Sequence, residues 1–391
     1  MMVQNEKRIL AGLCVCAVFS LTAQNKSDSH RPIFDAYPDL KKRVPWVKIA
    51  NLPTPVYELK NLERAEKTTA KIFIKDDGQA GDLVGSNKLR KLELHFGYAQ
   101  NCGAENIIAL GSVGSNYTTA IAAYAPLFGF KTIVLLKPQI NTHYLRRNLL
   151  LSAYYGADIR MFKDIHARNE EVRHLQKSIK NYYIPEGGSN EIGTIGCVNA
   201  AFELQEQINA GLIKEPDYIY VPFVSLGTAA GLMLGLRAAG LKTKVVCVQA
   251  APAGAGIWAS EIAREFNQTA KFLHEMDEHF IPYKIAPSEV IIHTVFFGGS
   301  YAAIDQEEHD AIMRLYDLEQ FKVDGTYAGK AFAALLHDLR KKKLEGKTIL
   351  FWKTNTSGSF KKITDQVDYK TLPQALHVYF ESDVQPLDAG C

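Results

Sequence analysis

The chain has 391 residues, 47% of them hydrophobic and 22% charged, which is ordinary globular composition and enough for one large core or two moderate domains. Its 45 basic and 42 acidic side chains leave a formal charge of +3, so neither nucleic acid nor an anionic membrane surface is an expected partner. A small-molecule ligand is the default.

Lys7 and Arg8 precede an apolar run from Ile9 to Ala23, in the order of a secretory signal with cleavage after Ala23. The run is short for a membrane span. It implies a periplasmic or secreted destination; a short buried helix or an unused upstream start is the alternative, with a cytoplasmic protein. Beyond it, Cys102, Cys197, Cys247 and Cys391 show no paired spacing, so neither a disulfide framework nor a zinc site is expected. No His or carboxylate cluster has metal-ligand spacing.

From residue 71 the chain alternates strand and helix. Lys71–Lys75 alternates like a strand, and Leu89, Leu92, Phe96 and Ala99 share one face of a helix over Ser86–Cys102. Asn106–Leu110 is a buried strand, Gly111–Ser115 a turn, and a helix runs on to Phe128, closed by Gly129. Strands follow at Lys131–Leu136, Asp158–Phe162 and Tyr182–Pro185, with helices at Leu145–Tyr155 and His166–Lys180 between them. The second half repeats the pattern: helix Ile195–Ala210, strand Asp217–Phe223, a turn at Ser225–Thr228 opening a helix to Ala239, and strand Lys244–Ala250. Helix Ala328–Lys341 and strand Thr348–Trp352 close it. Such alternation predicts an α/β protein of two parallel-sheet domains, with the ligand in the cleft at the carboxyl ends of the strands.

Four turn segments can carry chemistry there. Lys88, in Gly85-Ser86-Asn87-Lys88-Leu89-Arg90-Lys91, starts a helix, where the helix dipole, Arg90 and Lys91 favour its neutral form. A neutral amine is what a Schiff base requires, although alone the segment reads more readily as a solvated basic face. Gly111–Tyr117 runs from strand to helix and reads equally as an anion site or a capped turn. Ser225–Gly231 has the placement of a phosphate cup without a Walker or dinucleotide fingerprint. Tyr327, between glycines in Asp324–Lys330, is a candidate acid or base, or else a surface turn tyrosine.

Taken in order, GSNKLRKLE at 85–93, the Ser115-Asn116 pair, IPEGGSNEIGTIG at 184–196, the 225–228 turn and DGTYAGKAFAAL at 324–335 resemble the D-cysteine desulfhydrase and 1-aminocyclopropane-1-carboxylate deaminase family. These are pyridoxal-phosphate enzymes of the tryptophan-synthase-β-like fold, also called fold type II, and the resemblance runs from about Leu52 to Phe360. It implies that Lys88 is the internal Schiff-base lysine and the base at the substrate α-carbon, with Tyr327 the second acid–base group. Asn116 would bond the cofactor's ring hydroxyl, and Leu226, Gly227 and Thr228 would bind its phosphate. Ser115, Asn116 and Tyr117 would meet the substrate, and a homodimer is implied.

Three positions depart from the family pattern. Tyr117 replaces a histidine, Ala328 replaces the glutamate of the cyclopropane deaminases, and Lys353-Thr354-Asn355-Thr356 replaces a His-Thr-Gly-Gly segment, leaving Thr354 as a neutral partner for the ring nitrogen. The expected function is α,β-elimination from a small amino acid, releasing pyruvate, ammonia and sulfide in the D-cysteine desulfhydrase manner. Cyclopropane ring opening, racemisation and a non-catalytic amino-acid or cofactor binder are the alternatives. The expected division is a signal segment at 1–23, a large cofactor domain at 24–81 and 187–380, a small domain at 82–186 and a tail at 381–391.

Overall fold

The computed structural model describes residues 30–252 and 254–388, so the leader reading at 1–23 lies outside the described residues. Among the described residues ten strands form two sheets: β1 (Val56–Glu58), β2 (Lys71–Asp76), β3 (Asn106–Ser112), β4 (Lys131–Lys137), β5 (Asp158–Met161), β6 (Asn181–Ile184), β7 (Tyr218–Phe223), β8 (Lys244–Gln249), β9 (Ile291–His293) and β10 (Thr348–Lys353). The six-stranded sheet has the order β1-β2-β10-β7-β8-β9 and is parallel apart from the β1–β2 pair. The four-stranded sheet, β5-β4-β3-β6, is parallel throughout. This is the expected α/β architecture with parallel sheets.

The central strands are buried on both faces, which is why they read as continuous apolar runs rather than alternating ones. Ile349, Leu350, Phe351 and Trp352 of β10 are all at most 1% exposed. Helices cover both faces. The Lys88–Asn101 helix touches two cores at once: Leu89, Leu92 and Phe96 pack with the four-stranded sheet's cluster, and Leu94 with a cluster of the six-stranded sheet. Phe360, Leu372, Leu376 and Tyr379 also join the core of the four-stranded sheet.

The helix read to Phe128 ends at Tyr124 and tightens into a 3-10 turn, Ala125–Phe128, before Gly129 at φ 81°. Pro126 cannot donate the next helical hydrogen bond, which accounts for the change. The helix expected to Lys180 stops at Leu175. Two helices unmarked in the sequence reading lie at Ala255–Met276 and Gln306–Glu319. No helix among the described residues is long and apolar enough to cross a membrane.

Candidate active site

The carboxyl ends of β3, β4, β7 and β10 converge on a cavity of about 210 Å³. Its wall includes Lys88, Ser115, Asn116, Tyr117, Leu226, Thr228, Tyr327 and Thr354, so eight of the nine sites expected from sequence meet in one place. The ninth, Gly227, lies behind the wall. A Cβ there would come within 2.6 Å of Thr194 Oγ1 and 3.1 Å of Lys91 Nζ, so the backbone must pass this close and no side chain fits.

Lys88 is the first residue of its helix, and its N–H donates to Ser86 Oγ at 3.3 Å. Protein packs around its stem while the side chain reaches the cavity. Burial, with the nearby Lys91 charge second, lowers its pKa to about 7. Arg90 does not contribute as the sequence suggested. Its guanidinium turns the other way, onto Asp77 at 2.7 Å and Glu203 at 2.7 Å, where its charge is already met.

The 225–228 turn is held by an unusual backbone. Leu226 sits at φ 37°, a conformation rare for a branched side chain, and directs the chain into the Gly227–Ala238 helix. Gly227 N–H donates to Ser189 Oγ at 3.2 Å, and Asn87 Nδ2 donates to Thr228 Oγ1 at 3.0 Å, which leaves the Thr228 hydroxyl proton free for an acceptor. Lys91, fully buried, reaches Ser189 Oγ at 2.9 Å and Gly187 O at 3.2 Å, and forms no ion pair among the described residues. The buried Lys91 amine, a helix N-terminus and a turn too tight for a Cβ together make a cradle for a phosphate group, whose charge would draw a proton onto the amine. The residues present fit pyridoxal phosphate.

On the facing side Ser115 caps the Asn116–Tyr124 helix, accepting from Thr118 N–H at 3.3 Å. Asn116 Oδ1 accepts from Asn148 Nδ2 at 2.8 Å, and this bond leaves the Asn116 amide NH₂ for the cavity. Tyr117 is 2% exposed, its ring against Gly188, and burial pushes its pKa well up. The Tyr327 hydroxyl is hydrogen-bonded to that of Tyr301. Burial raises Tyr301 to about 12 and Tyr327 well above its ordinary value, so both phenols are protonated at neutral pH. Asp324 Oδ1 accepts from Tyr327 N–H at 2.7 Å and Thr326 N–H at 3.0 Å and so fixes the turn that presents Tyr327.

Within the 353–356 segment, Thr354 alone faces the cavity. Lys353 is buried on Asp76 at 2.9 Å, Asn355 O at 3.0 Å and Ser357 Oγ at 2.6 Å, a structural role. Ala328 packs in the apolar core of the six-stranded sheet and supplies no polar group. Sequence reasoning left Asn87, Ser189 and Tyr301 without roles, and gave Lys91 only its charge on Lys88, which the structure bears out. Lys91 had a signal, since it lies three residues from Lys88 on one helical face. Tyr301, in the irregular Gly298–Tyr301 stretch, had none beyond its small neighbours.

Comparison with known proteins agrees with this geometry. The profile of the pyridoxal-phosphate dependent enzymes matches residues 47–354, and the chain belongs to that family. Its cofactor is pyridoxal phosphate, and it is an enzyme of the lyase and deaminase type. It is 30% identical over 310 residues to the D-cysteine desulfhydrase of Yersinia enterocolitica, covering 76% of this chain and 89% of that one. The crystal structure of an ACC deaminase homologue superposes with a TM-score of 0.71 at 28% identity, over 87% of this chain and 100% of the other. A fungal L-serine ammonia-lyase from Rhizomucor miehei shares the fold, with a TM-score of 0.57 at 18% identity over 81% of this chain and 98% of that one.

Proposed function

We propose that this enzyme catalyses α,β-elimination from a small β-substituted amino acid such as D-cysteine, giving a 2-oxo acid, ammonia and the released substituent. The observation that carries it is Lys88: an amine with a pKa near 7, facing a cavity beside a phosphate cradle and a protonated tyrosine pair.

In this reading Leu226, Gly227 and Thr228 hold the cofactor phosphate, with Lys91 as counter-ion. The Asn116 amide donates to the ring hydroxyl, and Thr354 gives the ring nitrogen a neutral partner. Bound there, pyridoxal phosphate supplies an electron sink for bond breaking at the substrate α-carbon. Lys88, neutral at working pH, takes the α-proton. Ser115, at a helix N-terminus, binds the substrate carboxylate, and Tyr117 covers the site beside it. Tyr327 keeps its proton and donates, its hydroxyl oriented by Tyr301. Ala328 offers no carboxylate to the ring nitrogen, which favours elimination over opening of a cyclopropane ring.

The test is product assay of the purified holoenzyme. D- and L-cysteine, β-chloroalanine and 1-aminocyclopropane-1-carboxylate would be incubated separately, with pyruvate, 2-oxobutanoate and sulfide measured. Pyruvate and sulfide from one cysteine enantiomer are expected. 2-Oxobutanoate from the cyclopropane substrate with no pyruvate from the others would reverse the assignment.

The Lys88 pKa also fixes a pH dependence. Below about 7 the amine is protonated and cannot attack the cofactor aldehyde; above it the amine is free. The rate at which apoenzyme regains its visible band on adding pyridoxal phosphate should therefore rise through about pH 7 and level off. A rate still climbing at pH 10, as for a solvated lysine, would show that the amine is not depressed.

A further inference from the structure

Among the cavity-lining side chains, amines and carboxylates are confined to Lys88, Lys137 and Glu186. Lys88 has its part in the function proposed above; the other two have none. Both come from the four-stranded sheet, on either side of β3. Lys137 ends β4, in register with Ser112 at the end of β3, and Glu186 follows β6. They meet at 3.6 Å, Nζ to Oε1.

The charges of this wall do not balance. The same Glu186 oxygen lies 3.0 Å from Arg168 NH1, and the Arg168 side chain is 5% exposed. Arg168 forms no other ion pair among the described residues, so removing Glu186 from it would strand a buried cation. Glu186 therefore belongs first to Arg168. Lys137, at the longer distance and 39% exposed, is the cation with charge to spare. Glu186 is also close enough to Tyr117, Tyr301 and Tyr327 for its charge to oppose their ionisation. The wall therefore stands beside the tyrosines, while the phosphate cradle sits at the end of β7 in the other sheet.

We infer that Lys137 binds the β-substituent of the substrate and takes up the negative charge with which that substituent departs, Arg168 and Glu186 holding the ammonium in place. The inference rests on the elimination reading. In that step the α-proton passes to Lys88, and the Cα–H electron pair becomes the Cα=Cβ bond. The Cβ–X bond breaks with its own pair going to X, which leaves as an anion against Lys137. No oxidant or reductant enters. The substrate class is then an amino acid whose β-substituent departs as a poorly stabilised or multiply charged anion, such as hydrosulfide or phosphate. A cyclopropane amino acid, which releases no group, makes no use of Lys137.

The test compares kcat/KM of the holoenzyme for cysteine, O-phosphoserine and β-chloroalanine, each as its preferred enantiomer. Chloride leaves readily without help. Lys137→Gln is expected to lower kcat/KM for cysteine and O-phosphoserine by about 10–100-fold, the loss of one charged hydrogen bond, and to affect β-chloroalanine far less. Lys137→Arg should restore the wild-type ratio between substrates, and the visible cofactor band reports that each variant is folded and loaded. An equal loss on every substrate, leaving the ratio unchanged, overturns the role of Lys137 while elimination stands. A loaded wild type that releases product from none of the three overturns both.

Discussion

Lys88→Ala is expected to abolish the visible absorption band of the purified enzyme and its turnover together. Wild type treated with borohydride should carry the reduced cofactor on the peptide containing Lys88, and the variant should carry none. Loss of α-proton transfer alone removes roughly 10²–10⁴-fold in rate. Loss of covalent attachment adds to it. The cradle of Lys91, Gly227 and Thr228 is untouched by this change, so the variant should still bind pyridoxal phosphate reversibly, with the spectrum of the free aldehyde. Borohydride labelling at another lysine in wild type would sink the assignment of Lys88.

The second large effect lies in stability. Arg90, Asp77, Glu203 and Lys75 form a network of two cations and two anions, each at most 1–2% exposed. Arg90 also reaches Thr54 Oγ1 at 2.9 Å, and Trp352 Nε1 donates to Asp77 Oδ2 at 2.7 Å. Against burial, which would raise it, the Arg90 and Lys75 charges hold the Glu203 carboxyl far below the usual range. Arg90→Met leaves two buried carboxylates with one cation and is expected to cost about 3–5 kcal/mol. The urea midpoint of the apoenzyme reads this directly. A loss below about 1 kcal/mol would mean that water reaches the network and solvates it.

The sheets were legible because their strands are apolar through and through. Asn106–Leu110 and Thr348–Trp352 each stand between turn residues, and each is buried on both faces. Following strand–helix alternation alone leaves 251–323 blank, although the signals are there. Ile262, Phe266, Ala270 and Leu273 fall on one helical face and are all buried. Asp305 caps the Gln306–Glu319 helix by accepting from Glu308 N–H at 2.8 Å. What no pattern discloses is direction. Arg90 and Lys91 are adjacent and both basic, yet one anchors the helix in a carboxylate network while the other reaches Ser189 and Gly187 behind the 225–228 turn and has no ion pair among the described residues. Lys353 and Thr354 divide in the same way between core and cavity. These assignments depend on which partners arrive from distant strands, and spacing along the chain does not encode that.

The helix that begins at Lys88 packs into both cores but is ion-paired beside only one of them among the described residues. Its Arg90 is bolted by ion pairs to Asp77 and Glu203 beside the six-stranded sheet, whereas toward the four-stranded sheet its contacts are apolar apart from the neutral bonds of His95 to Tyr182 and Gly188 and of Lys91 to Gly187 after β6. Nonpolar surfaces slide where ion pairs do not. A rocking of the smaller sheet would therefore carry Ser115 and Lys137 toward or away from a reaction centre that stays still. The enzyme would then work as a fixed anvil, amine and phosphate cradle together, against a jaw that brings the substrate's carboxylate and side chain to it.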